Sequence, residues 1–277
     1  MPLPSDLTIS RTKFDSREID EETKKFNEGL IKIWKDGPRW YEVGASTYRT
    51  LRWEGKTPLP KLNHYNITVV SIGYRLAPED PWPKGIEDCY DAAEWLVKNS
   101  KQEFGGELLF TGGESAGAHL ALLTALHLLT TTPTFSFRAL LLHFGCYDLS
   151  AFLPHAHNHT LSLVVDRDVM TSYVNALLPY TTESERRHPS ISPFWTDLRQ
   201  YSGRLPPALF TCGSEDPLLD DSVMMGAKWG MWGGATVVKI YTGAPHGFIG
   251  FARGTIRAVG EALDDMEVFI EENIGGL

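Results

Sequence analysis

Residues 107–127 read ELLFTGGESAGAHLALLTALH. A short apolar strand, Leu108 to Phe110, runs into Gly112 and Gly113, and an apolar helix continues through Leu129. Between them stands Gly113-Glu-Ser-Ala-Gly117, a Gly-x-Ser-x-Gly pattern in a strand–turn–helix setting. The turn is sharp enough to need glycines on either side of the serine, where a side chain would meet neighbouring backbone. It pushes Ser115 Oγ out at the strand's end. It also aims the amide of Ala116, at the helix N-terminus, at whatever the serine attacks. An ordinary glycine turn would carry the same five residues, so the reading needs partners for the serine elsewhere in the chain.

A nucleophilic serine needs a base, and the base needs an orienting acid. In this architecture both follow the serine, acid first, each after its own strand. Ala208-Leu-Phe-Thr-Cys212 is an apolar strand ending in Gly213-Ser-Glu-Asp216-Pro217. Ala235-Thr-Val-Val-Lys-Ile-Tyr241 is a second, β-branched strand, and it ends in Thr242-Gly-Ala-Pro-His246-Gly-Phe248. The order assigns Ser115 as nucleophile, His246 as base then acid, and Asp216 as the group that orients it. Pro217 suits a helix first turn, so Asp216 also reads as a helix cap. Asp220 and Asp221 are fallback acids, better read as solvated helix residues; Glu215 is less well placed. His246 between Pro245 and Gly247 also reads as a plain turn histidine.

The 277 residues carry a formal net charge of −9, which favours neither nucleic acid nor an anionic membrane. A chain of this length forms one large domain and buries about three quarters of its surface. No basic start followed by an apolar core marks a signal peptide, and the apolar run from Leu120 to Leu129 is too short to span a bilayer. Cys89, Cys146 and Cys212 are odd in number, scattered and without metal-type spacing. They read as reduced thiols in a cytoplasmic setting.

From residue 67 onward strands and helices alternate, which predicts an α/β fold with a mostly parallel sheet of about five strands, flanked by helices. Ile67 to Gly73 reads as a buried strand. Lys84 to Ser100 has helical spacing, Phe137 to Phe144 is another strand, and helices follow over about 218–232 and 253–272. Residues 150–203 break the rhythm with polar, aromatic and proline-containing sequence, read as a helical lid over the strand ends. A helical piece lies near Asp166 to Leu178. The expected division is an N-terminal cap segment and connector at 1–62 and a main domain at 63–277.

Four motifs in this order carry a resemblance: Tyr74-Arg-Leu-Ala-Pro-Glu79, Gly113-Glu-Ser-Ala-Gly117, Asp216-Pro-Leu218 and His246-Gly-Phe248. Over roughly residues 65 to 277 the chain resembles the hormone-sensitive-lipase-like carboxylesterase branch of the α/β-hydrolases. The resemblance implies an ester hydrolase of small or medium acyl chains. Its triad is Ser115, Asp216 and His246, with Ala116 as an oxyanion donor and no cofactor. It also implies that the Tyr74–Glu79 segment is structural and that a helix near residues 17–35 belongs to a cap. An amidase or arylformamidase shares the mechanism. A small-molecule ester is the expected partner, with no nucleic acid and no integral membrane segment.

The chain departs from that pattern at one place. The branch carries a His-Gly-Gly-Gly type loop ahead of the first helix, and the sequence before Ile67 has only the isolated glycines Gly29, Gly37, Gly44 and Gly55. About fifty residues are missing near Lys61 to Asn63 relative to a domain of this kind. Adjacent strands sit about 4.8 Å apart, so an empty strand slot cannot be bridged by backbone hydrogen bonds. The Ile67–Gly73 strand is therefore expected either to slide in beside the Leu108 strand or to be poorly ordered. A shortened hydrolase that has lost activity and serves as a binding protein is the alternative reading.

Weaker signals remain. His155-Ala-His-Asn-His159 would put three imidazoles on one side of an extended segment, but no cysteine or carboxylate cluster accompanies it. It reads as a solvated loop, and no metal is assigned. His119, His127 and His143 read as packed or capping residues. Phe194 and Trp195 are candidates for the acyl pocket.

Overall fold

The computed structural model describes residues 9–36, 40–44, 47 and 68–274. Four strands form one wholly parallel sheet: β1 (Phe110–Glu114), β2 (Ala139–His143), β3 (Ala208–Glu215) and β4 (Thr236–Pro245), in that order across the sheet. The main helices are α1 (Glu21–Asp36), α2 (Lys84–Phe104), α3 (Ala116–Thr131), α4 (Pro154–Asn158), α5 (Arg167–Leu177), α6 (Leu219–Met231) and α7 (Arg257–Ile274).

Side chains alternate across the strands and so fill two layers. Leu140, Leu142 and Phe210 face α3 and α6, where Leu122, Met225 and the fully buried Trp229 complete the larger core. Ala139, Leu141 and Leu209 face the other way onto Phe269 of α7. Helix α3 is buried nearly all round, because the sheet covers one side and α2 the other. Helix α2 buries Ile86, Cys89, Ala93, Leu96 and Ser100, a single stripe at helical spacing. It stops at Gly105, whose φ of 78° is a left-handed cap.

The sheet has four strands among the described residues, not the five expected. The difference is the run at residues 67–73, of which Ile67 lies outside the described residues. Thr68 to Gly73 forms no strand, and Val69 and Val70 are 75% and 41% exposed. The next residues are anchored elsewhere. Arg75 N–H donates to Asp88 Oδ2 at 2.8 Å, and its guanidinium reaches Asp88 Oδ1 at 2.8 Å and the Lys84 carbonyl at 3.3 Å. Ile72 and Tyr74 pack on Ile86, Cys89 and Leu123. The chain is thus pinned across α2, away from the amides of β1. An apolar run becomes a strand only where a partner meets its backbone groups.

β1 also begins later than expected, at Phe110, and takes in both glycines. A Cβ on Gly112 would stand 2.6 Å from the Leu141 carbonyl oxygen, so strand contact with β2 requires glycine there.

Residues 150–203 form α4, α5, a turn of helix at Glu183–Arg186 and two 3-10 turns. Helix α1 crosses the end of β4. Asn27 Nδ2 donates to the Gly243 carbonyl at 2.8 Å, and Leu30 is buried against Leu163 and Val164.

Candidate active site

Three parallel strands deliver three side chains to one place. β1 ends at Glu114 and α3 starts at Ala116, leaving Ser115 as the single residue of the turn, with φ 54° and ψ −117°. Positive φ costs a non-glycine residue of order 1–3 kcal/mol, so the surroundings must hold it. Ser115 N–H donates to the His143 carbonyl at 2.9 Å, and the His119 amide donates to the Ser115 carbonyl at 3.2 Å. Gly113 makes the turn close: a Cβ there would lie 2.5 Å from the Gly117 carbonyl carbon. Gly117 differs from the expectation. A Cβ on it would meet nothing within 4 Å, so its side of the turn is open.

Ser115 Oγ lies 2.9 Å from His246 Nε2, and His246 Nδ1 lies 2.9 Å from Asp216 Oδ2. His246 is 4% exposed and Asp216 is wholly buried. Asp216 Oδ1 accepts the Leu218 amide at 2.9 Å, so one carboxylate both caps the turn into α6 and holds the histidine. With Nδ1–H given to the carboxylate, Nε2 presents its lone pair to the serine hydroxyl. The Ala116 amide belongs to the first turn of α3, where no intrahelical carbonyl is available to it.

Asp221 is not the solvated residue that the sequence suggests. It is wholly buried, and its Oδ1 accepts the amides of Tyr147 at 2.5 Å and Asp148 at 3.0 Å. Burial pushes its carboxyl up to about 7, against the pull of those two amides. Asp220 Oδ2 accepts the His155 amide at 2.9 Å and so ties α4 to α6. Neither touches His246.

Phe194 and Trp195 lie in a separate cluster. Phe194 packs on the larger core and accepts the Lys228 ammonium at its carbonyl, while the Trp195 indole donates to Asp148 Oδ1 at 3.2 Å. His119 and His143 are buried and pushed down to about 4 by that burial; their Nδ1 atoms meet the Cys146 carbonyl and Thr211 Oγ1. One contact was missed: the Phe144 ring stands edge-on to His246 at 5.0 Å. Its φ of 40°, at a strand's end, leaves no trace in the hydrophobic pattern. Among the described residues no group of three or more His, Cys, Asp or Glu is arranged to hold a metal. No described helix is long and apolar enough to cross a membrane.

A family profile described as alpha/beta hydrolase fold matches residues 47–250. Carboxylesterase NlhH of Mycobacterium tuberculosis is 31% identical over 189 residues, 66% of this chain and 57% of that protein. Esterase LipI of the same organism is 29% identical over 199 residues, covering 71% and 60%. The chain thus spans less than two thirds of these relatives. Among solved structures, the hyperthermophilic esterase of the archaeon Pyrobaculum calidifontis aligns with a TM-score of 0.64 at 27% identity, over 72% of this chain and 62% of that one. The thermostable carboxylesterase EstE1, cloned from a metagenomic library, aligns with a TM-score of 0.66 at 25% identity, over 73% and 68%.

Proposed function

This chain belongs to the α/β-hydrolase fold family, and from that premise we propose that it is a serine carboxylic ester hydrolase of the hormone-sensitive-lipase-like branch. The observation that carries the reading is the pair of 2.9 Å contacts joining Ser115, His246 and Asp216. Ser115 Oγ attacks the ester carbonyl while His246 Nε2 takes its proton. The buried Asp216 carboxylate fixes the imidazole tautomer and stabilises the imidazolium. His246 then protonates the leaving alcohol, and the acyl group stays on Ser115. Water activated by His246 attacks that acyl-enzyme and releases the acid. The Ala116 amide receives the oxyanion.

Small and medium acyl esters are the proposed substrates. Residues 150–203 act as the lid. The segment within 1–62 acts as a cap, supported by the Asn27–Gly243 bond and the burial of Leu30. A cytoplasmic location goes with this reading.

One observation favours a weaker enzyme. The sequence contains no His-Gly-Gly-Gly run to give a second set of oxyanion amides. Loss of one donor removes ~10²–10³ in turnover, so the second reading is a catalytically impaired hydrolase retained as a binding protein. A fluorophosphonate probe separates the two. A single adduct on Ser115, absent from His246→Ala, supports the hydrolase; no adduct in folded protein supports the binding protein.

A further inference from the structure

His155-Ala-His-Asn-His159 is not one extended segment. His155 to Asn158 fold in α4 with Pro154 in its first turn, His159 is the extended residue that ends the helix, and the three imidazoles are divided. His157 turns away, its Nε2 standing 2.7 Å from the Ala151 carbonyl oxygen. His155 in the helix and His159 at its C-cap are neighbours, with ring centres 5.6 Å apart and planes at 44°. Both Nε2 atoms are buried, and neither has a hydrogen-bond partner. In the tautomer that keeps its proton on Nδ1, each ring offers Nε2 as a lone pair, as in histidines that ligate metals. Two buried, unsatisfied ring nitrogens on neighbouring rings call for an occupant.

We propose that His155 and His159 form a two-imidazole site for a divalent transition metal ion, Zn²⁺ or Cu²⁺, with water completing the coordination shell. The spacing fits. Metal to Nε2 is ~2.0–2.1 Å, and the ring centre lies about 1.1–1.2 Å further, so ligand angles of about 110–120° separate the centres by ~5.2–5.6 Å. Imidazole selects Zn²⁺, Ni²⁺ and Cu²⁺ over Mg²⁺ and Ca²⁺, with Cu²⁺ the tightest. The site sits beside the triad rather than in it. The His155 amide is held by Asp220, and Ala156 packs on Leu218, two residues from Asp216. A metal there would staple α4 over the loop that carries the acid. A bridging water is the rival occupant.

The test uses the full chain without a tag, stripped of metal, as wild type, His155→Ala, His159→Ala and His157→Ala. Equilibrium dialysis should give one Zn²⁺ per chain in the wild type and in His157→Ala. Affinity should fall ~10-fold or more in the other two variants. Zn²⁺ should raise the melting temperature only where it binds, and Mg²⁺ nowhere. Electron paramagnetic resonance of the Cu²⁺-loaded wild type needs no variant and should show two imidazole nitrogens. Equal Zn²⁺ affinity in all four chains, no bound Zn²⁺, or a Cu²⁺ spectrum with fewer than two imidazole nitrogens would overturn the proposal and leave water as the occupant.

Discussion

Asp216 holds His246 with one carboxylate oxygen and its own turn with the other: Oδ2 stands 2.9 Å from His246 Nδ1, and Oδ1 accepts the Leu218 amide at 2.9 Å. Asp216→Asn separates the two roles. The amide oxygen keeps the Leu218 bond, so the fold persists. The amide nitrogen then donates to Nδ1, which forces the proton onto Nε2 and removes the base from Ser115. We expect kcat to fall ~10⁴-fold with little change in melting temperature. Retained activity would mean that Asp216 serves the turn alone.

Asp221 makes stability depend on pH. Its carboxyl is raised to about 7 in the folded chain, against ~3.9 when unfolded. The folded state therefore holds the extra proton between those values. This contribution is fully present below about pH 4, fades as pH rises and is gone above about 7. Wild type should lose ~2–3 kcal/mol of unfolding free energy between pH 5 and 8 that Asp221→Asn does not lose. Urea melts of both proteins at the two pH values provide the check; equal pH slopes would show that Asp221 is ionised throughout.

The two glycines of the serine turn should respond in opposite ways. Gly113→Ala drives a Cβ to 2.5 Å from the Gly117 carbonyl carbon, so it should cost ~1–3 kcal/mol and displace Ser115. Gly117→Ala meets nothing within 4 Å in the first turn of α3, so it should be neutral or stabilise by ~0.5–1 kcal/mol. Thermal melts of the pair check this, and the same penalty in both would contradict the geometry.

Helix α1 docks through Leu30, which is 3% exposed against Leu163 and Val164. Leu30→Ala should cost ~2–4 kcal/mol in chemical unfolding. A loss below about 0.5 kcal/mol, typical of surface positions, would mean that α1 does not hold the insertion.

The sequence carried the Ser115, Asp216 and His246 geometry because each side chain ends a strand that its own apolar run announces. Helices α2, α3 and α6 were legible for a similar reason, since a stripe at 3.6 spacing needs only one covered face. Thr68 to Gly73 misled because β-branched composition says nothing of a partner, and Arg75 ties the neighbouring chain to Asp88 instead. Gly112 and Gly113 hid the true extent of β1. Propensity counts glycine against a strand, whereas close contact with Leu141 and Gly117 demands it. Pro154, ahead of His155, suits a helix first turn, and the extended reading of 155–159 took no account of it. Asp221 had no signal: a carboxylate on a helix face gives no hint that the Tyr147 and Asp148 amides fold onto it.

In the proposed mechanism Ser115 is a working nucleophile. Hydrolysis of a short-chain p-nitrophenyl ester by the purified chain, beside Ser115→Ala, tests it most directly. Turnover above background is expected in the wild type and none in the variant. Equal rates in both, from protein shown to be folded, would contradict it and leave the Ser115–His246–Asp216 contacts as a relic of a lost activity.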